Sequence, residues 1–122
     1  MEGRQHRIGP AVDALEAEQR MRDNGAMLIE TLRVQRDIIL ALSRHYGARN
    51  IRVFGSVARG EEQPDSDVDF LVEFPDGYDL FAQRLPLAAR LSELLGRSVD
   101  LVPEHELNRH IREAVLQEAI EL

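Results

Sequence analysis

Between residues 27 and 46 the apolar positions recur at helical spacing. Leu28, Leu32, Ile39, Leu42 and Tyr46 fall on one stripe, and Gly47 follows where helices commonly stop. One helix is predicted over 27–46. The apolar run at 51–54 reads as a short buried strand. Residues 68–74 alternate around Val68, Phe70 and Val72, as a strand with one buried face does. Pro75, Asp76 and Gly77 form a turn signal. Helical spacing returns over 80–95 and stops at Gly96, with Pro86 inside it expected to kink or divide the helix. Residues 98–102 predict a third strand closed by Pro103. Residues 106–122 predict a last amphipathic helix carrying Leu107, Ile111, Ala114, Val115 and Ile120. The order implies an α/β domain: a small mixed sheet covered by helices.

The pattern fades ahead of residue 27. Val12 and Leu15 are the only sizeable apolar residues of the segment that Pro10 would open as a helix, and Asn24-Gly25 is a break signal. Residues 1–26 are therefore expected to form a leader, loosely docked or shortly helical. Residues 27–122 are expected to form the domain.

Composition narrows the chemistry. The 122 residues suffice for one core, and 43% hydrophobic with 30% charged residues suits a globular domain. Cysteine is absent, which removes disulfides and thiolate chemistry. No apolar run approaches the length of about 20 residues that a bilayer requires, so no membrane partner is expected and the cytoplasm is the expected compartment. The net charge of -7 argues against nucleic acid as a partner. All 15 basic residues are arginine, so any phosphate must be held by backbone amides, hydroxyls, a metal or arginine rather than by a lysine.

Three aspartates and one turn carry the candidate chemistry. Gly55-Ser56 follows the first strand and opens a short helix expected over 57–59. Gly55 permits close backbone approach, Ser56 adds a hydroxyl, and Arg59 is within reach of a phosphate. Asp67 and Asp69 are two apart, which on a strand puts both carboxylates on one face, with Cα atoms roughly 6.6 Å apart. Asp100 lies on the third strand and joins them if that strand pairs beside the second. Three crowded carboxylates repel one another unless a cation sits among them, and hard divalent cations prefer such oxygens together with substrate phosphates. The reaction this set suits is in-line displacement at a nucleotide phosphorus, with Asp100 orienting or deprotonating the attacking hydroxyl.

Gly55-Ser56-Val57-Ala58-Arg59-Gly60 followed by Ser66-Asp67-Val68-Asp69 resembles the signature of the DNA polymerase β-type nucleotidyltransferase superfamily. Within it the chain is similar to the minimal nucleotidyltransferases, the antitoxin partners of HEPN ribonuclease toxins. The resemblance extends over about residues 32–122 and includes the segment from Leu94 to Val102 around Asp100. It implies a polymerase β-like fold with Asp67, Asp69 and Asp100 as catalytic and metal-binding residues for Mg²⁺. Gly55, Ser56, Arg59 and Ser66 would hold the nucleotide. The implied reaction transfers AMP from ATP to a tyrosine hydroxyl of the HEPN toxin, which silences it. A small domain leaves little chain for an acceptor pocket, so the acceptor is expected to come from the partner.

Plainer readings stand beside these. Asp65, Asp67 and Asp69 mimic the start of a calcium loop, but the sixth and twelfth positions hold Phe70 and Asp76 instead of glycine and glutamate. Ser66 can equally cap the turn before the strand. His105 and His110 are five apart and share no helix face, so no zinc pair is expected. The competing function is a non-catalytic antitoxin that masks its partner by stoichiometric binding. Retention of all three carboxylates favours the enzyme.

Overall fold

The structure is a computed structural model and describes residues 26–122. The expected leader therefore lies almost wholly outside the described residues. Two helices come first, α1 (Ala26–Val34) and α2 (Arg36–His45), then strand β1 (Arg49–Phe54), the one-turn helix α3 (Ser56–Arg59) and strand β2 (Val68–Glu73). A π-helical turn (Leu80–Arg84) runs into α4 (Leu85–Leu95). Strand β3 (Val99–Pro103), a 3-10 turn (Glu104–Glu106), α5 (Arg109–Glu118) and a two-residue strand β4 (Ile120–Glu121) complete the chain.

The sheet order is β3-β2-β1-β4. β1 runs antiparallel to both β2 and β4, whereas β2 and β3 are parallel. The expected small mixed sheet is therefore present, with one more strand than the pattern announced. Ile51, Val53, Val68, Phe70, Val72 and Leu101 form one buried cluster with Leu28, Leu32, Ile39, Leu87 and Leu91 of α1, α2 and α4. The helical stripe read from the sequence is core. Fully burying such a side chain is worth about 1.5–3 kcal/mol, which makes this layer the main source of stability. Alternation sends Asp69 and Leu71 of β2 to the opposite face of the sheet.

Three expectations are corrected. The single helix over 27–46 is two helices, broken at Gln35 (φ -94°, ψ 13°). Neither Gly nor Pro marks the break. It reflects different packing partners, since α1 lies against α3 while α2 lies against β1 and α4. The last helix does not run to residue 122. It ends at Ala119, which is extended, and Ile120–Glu121 pairs with Arg52 and Val53. That pairing satisfies backbone groups on the β1 edge that would otherwise be open. The first strand starts two residues earlier than expected, through an irregularity between Arg49 and Arg52 at which Asn50 takes a left-handed φ of 52°. Asparagine tolerates that conformation better than most residues, and its side-chain amide donates to Glu73 Oε2 at 2.9 Å. Pro86 divides its helix as expected: the π-turn lies before it and α4 begins with the proline in its first turn.

Among the described residues no helix is long and apolar enough to cross a membrane.

Candidate active site

The turn after β1 is built on Gly55. Its φ of 77° lies in the left-handed region, and a Cβ there would run into the carboxylate of Asp69. Glycine is thus required twice, by the backbone angle and by the close approach of β2. Phe54, the residue before it, stands opposite Asp69 in the β1–β2 ladder. One strand end therefore brings the Gly55-Ser56 turn and the β2 aspartate together. Ser56–Arg59 then forms its single helical turn, anchored by the buried Val57 and ended by Gly60.

β3 supplies the third carboxylate. Asp69 and Asp100 are register partners in the parallel β2–β3 pair, flanked by Val68–Val99 and Phe70–Leu101. The condition set by the sequence, that the third strand pair beside the second, is met. Asp67 sits just before β2 and is exposed, as is Asp100, whereas Asp69 is half-buried. The Asp69 carboxyl is pushed up to about 6, first by burial and then by the charges of Asp100 and Asp67; Arg59 opposes the shift. Asp100 and Asp67 thus both lie within electrostatic reach of Asp69, and their charges add to the effect of its burial.

This set suits a hard cation. Its donors are carboxylate oxygens in a like-charged group that a cation would relieve. Among the described residues, no three His, Cys, Asp or Glu side chains close into a ready-made metal cage. An open group is what Mg²⁺ uses, since it is commonly held by one or two carboxylates and completed by water and substrate phosphates.

Arg59 is already engaged. Its Nε donates to Glu61 Oε1 at 2.9 Å and one terminal nitrogen donates to Glu118 Oε1 at 2.9 Å. These two carboxylates hold its pKa above the ordinary arginine value, Glu61 first. The other Glu118 oxygen accepts from the Gly55 N–H at 2.6 Å. Glu118 escaped the sequence reading because a glutamate on an amphipathic helix looks like part of a solvated face. It lies 63 residues from Gly55, and no local signal could have paired them.

Ser66 is engaged locally. Its hydroxyl accepts from Gln63 N–H at 2.7 Å, and its carbonyl accepts from Arg97 at 3.0 Å. In this state its side chain closes the turn before β2, as the plainer reading had it.

A mixed sheet whose β1 ends in a Gly-Ser turn packed against Asp69, with Asp100 in register beside that aspartate, defines a protein built for chemistry at nucleotide phosphorus. The Nucleotidyltransferase domain family matches residues 35–122, and the chain belongs to that family. A protein adenylyltransferase MntA of Thermococcus cleftensis is 43% identical over 79 residues, which cover 65% of this chain and 79% of that one. A solved minimal nucleotidyltransferase superposes with a TM-score of 0.68 at 49% identity, covering 76% of this chain and 94% of its own. A toxin–antitoxin crystal structure with AMP-PNP reaches a TM-score of 0.59 at 29% identity, covering 68% of each chain. The resemblance to the minimal nucleotidyltransferases is therefore borne out, and the protein is a nucleotidyltransferase.

Proposed function

We propose that the protein transfers AMP from ATP to a hydroxyl of a partner protein, a tyrosine of a HEPN-family toxin, and so acts as its antitoxin. The observation that carries the reading is the in-register Asp69–Asp100 pair, with Asp67 in electrostatic reach and the Gly55 turn packed against Asp69. The relatives named as protein adenylyltransferases support the reaction class, and the similar toxin–antitoxin structure with AMP-PNP supports a toxin partner and an ATP-like ligand.

Asp67 and Asp69 would hold Mg²⁺, with Asp100 completing the carboxylate set. When bound, the ion supplies charge neutralisation at the phosphates. The chain's own groups do the rest. Arg59, Ser56 and the Gly55 amide bind phosphate oxygens and fix the nucleotide. Asp100, exposed on β3, orients the acceptor hydroxyl and takes its proton. The acceptor oxygen bonds to the α-phosphorus while the bond to the departing pyrophosphate breaks. The Ser66 hydroxyl accepts from the Gln63 N–H, which leaves its O–H able to donate to a nucleotide oxygen.

The exposure of Asp67 and Asp100 fits an acceptor delivered from outside. The test is incubation of the chain with labelled ATP, Mg²⁺ and the toxin. Label on a toxin tyrosine is expected; toxin neutralised with no label would reject the reading. The second reading, stoichiometric masking, is favoured by the exposed apolar residues Leu80, Phe81 and Leu85 at the start of the α4 segment. It would win if an Asp69→Asn variant protected cells as well as the wild type.

A further inference from the structure

Glu118 is placed where no solvated helix residue needs to be. Its two carboxylate oxygens divide between the two groups that a phosphate would use, the Gly55 N–H at 2.6 Å and Arg59 at 2.9 Å. A carboxylate and a phosphate edge offer the same pattern to such donors: two anionic oxygens accepting charge-assisted hydrogen bonds. The seat is therefore filled by the chain's own anion.

We propose that Glu118 is an internal competitor for the nucleotide phosphates. The resting protein keeps the Gly55–Arg59 seat closed with this carboxylate, and nucleotide enters by displacing it. The inference rests on the nucleotide reading of the site. Three further observations favour it. The contact is open to solvent, with side chains 47% exposed at Arg59 and 24% at Glu118, so no packed layer bars exchange. Glu118 is the last residue of α5, and β4 ties the following backbone to β1, so the carboxylate is held near the seat even after it is displaced. Its charge also falls on Asp69, where it adds to the repulsion already present.

A purely structural strut would predict the opposite behaviour. If Glu118 served only to hold Arg59 and the turn in a binding geometry, its loss would weaken nucleotide binding.

The experiment is calorimetric titration of the full chain with a non-hydrolysable ATP analogue and, separately, adenosine, both in Mg²⁺. Wild type, Glu118→Ala, Glu118→Gln and Arg59→Ala are compared, and each variant's fold is checked by its melting curve. Removing a charge-assisted competitor should tighten the analogue by about tenfold in Glu118→Ala, with Glu118→Gln in between because its amide oxygen still accepts from Gly55. Adenosine affinity should not change. The Gly55 amide resonance should move in Glu118→Ala, and analogue binding should move it in wild type. Equal or weaker analogue binding in both Glu118 variants, with wild type binding normally, overturns the competitor. A parallel gain for adenosine overturns it too, because phosphate displacement would not be the cause. Absence of analogue binding in every protein overturns the nucleotide reading and the inference with it.

Discussion

Asp69 and Asp100 are register partners across the parallel β2–β3 pair, like charges flanked by the apolar pairs Val68–Val99 on one side and Phe70–Leu101 on the other. Neighbouring strands lie only about 4.8 Å apart, so this arrangement costs stability unless a cation or a proton offsets it.

The pH dependence follows. The Asp69 carboxyl is raised from 3.8 to about 6 in the folded protein, so the native state holds a proton that the unfolded chain has already released. The contribution of this carboxyl to stability is therefore fully present below the unfolded value and is lost as the pH rises through the folded one. Without divalent metal, the melting temperature should fall between about pH 4 and pH 6.5 and level off above. Asp69→Asn should flatten that fall and melt higher than wild type at pH 7.5, while transfer drops to background. A wild-type curve parallel to that of Asp69→Asn throughout would contradict the repulsion.

Divalent metal should reverse this pH effect. A cation that needs ionised carboxylates binds better at high pH and stabilises the folded state by mass action. Millimolar Mg²⁺ is expected to raise the melting temperature at pH 7.5 more than at pH 5, and EDTA should abolish transfer. An equal rise at both pH values would point to non-specific ionic strength.

Asp100→Asn separates binding from chemistry. Loss of a positioned general base typically costs about 10²–10⁴ in rate. The variant should bind the ATP analogue within a few-fold of wild type yet transfer AMP about 10³ more slowly, as measured by single-turnover labelling of the toxin.

Gly55→Ala tests the turn. The new methyl meets the Asp69 carboxylate and the backbone keeps an unfavourable φ of 77°, so both contributions destabilise. A loss of about 2–4 kcal/mol in urea unfolding is expected, with no detectable transfer. Gly60→Ala is a useful contrast. It shares the left-handed angle but meets nothing within 4 Å, so only the backbone cost of about 1 kcal/mol applies.

A structural ion network should matter more than the surface pairs. Glu104 accepts from Arg52 at 2.6 Å and from Arg112 at 3.0 Å, and the Arg52 side chain is only 11% exposed. Glu104→Ala leaves a mostly buried guanidinium without its carboxylate and should cost about 3 kcal/mol in urea unfolding. Disruption of the exposed Arg90–Glu93 pair should cost well under about 1 kcal/mol.

Much of this protein was legible before its fold was known, and the reasons are local. Gly55-Ser56 and the Asp67-Val68-Asp69 spacing are short-range signals, because a turn angle and a strand's two-residue period are properties of adjacent residues. The helical stripe of Leu28, Leu32 and Ile39 is likewise a periodicity of the chain itself, and all three are buried. Gln35 and Ala119 were not legible as element ends. Neither carries a stop signal, and both breaks answer to what the chain packs or pairs against.

The sequence by itself marked three of the strands, the apolar layer and the Gly55 turn, and offered Asp67, Asp69 and Asp100 as candidates to hold a cation. It could not set Asp100 against Asp69, because strand order and register come from closure of a sheet across 31 positions. Nor could it bring Glu118 onto Gly55 and Arg59. That contact depends on α5 returning to the edge of β1 and on β4 pinning it there. Local dihedral preferences and side-chain periodicity act between neighbours, while competition for charge at the site acts through space. Only the folded chain decides which carboxylates meet.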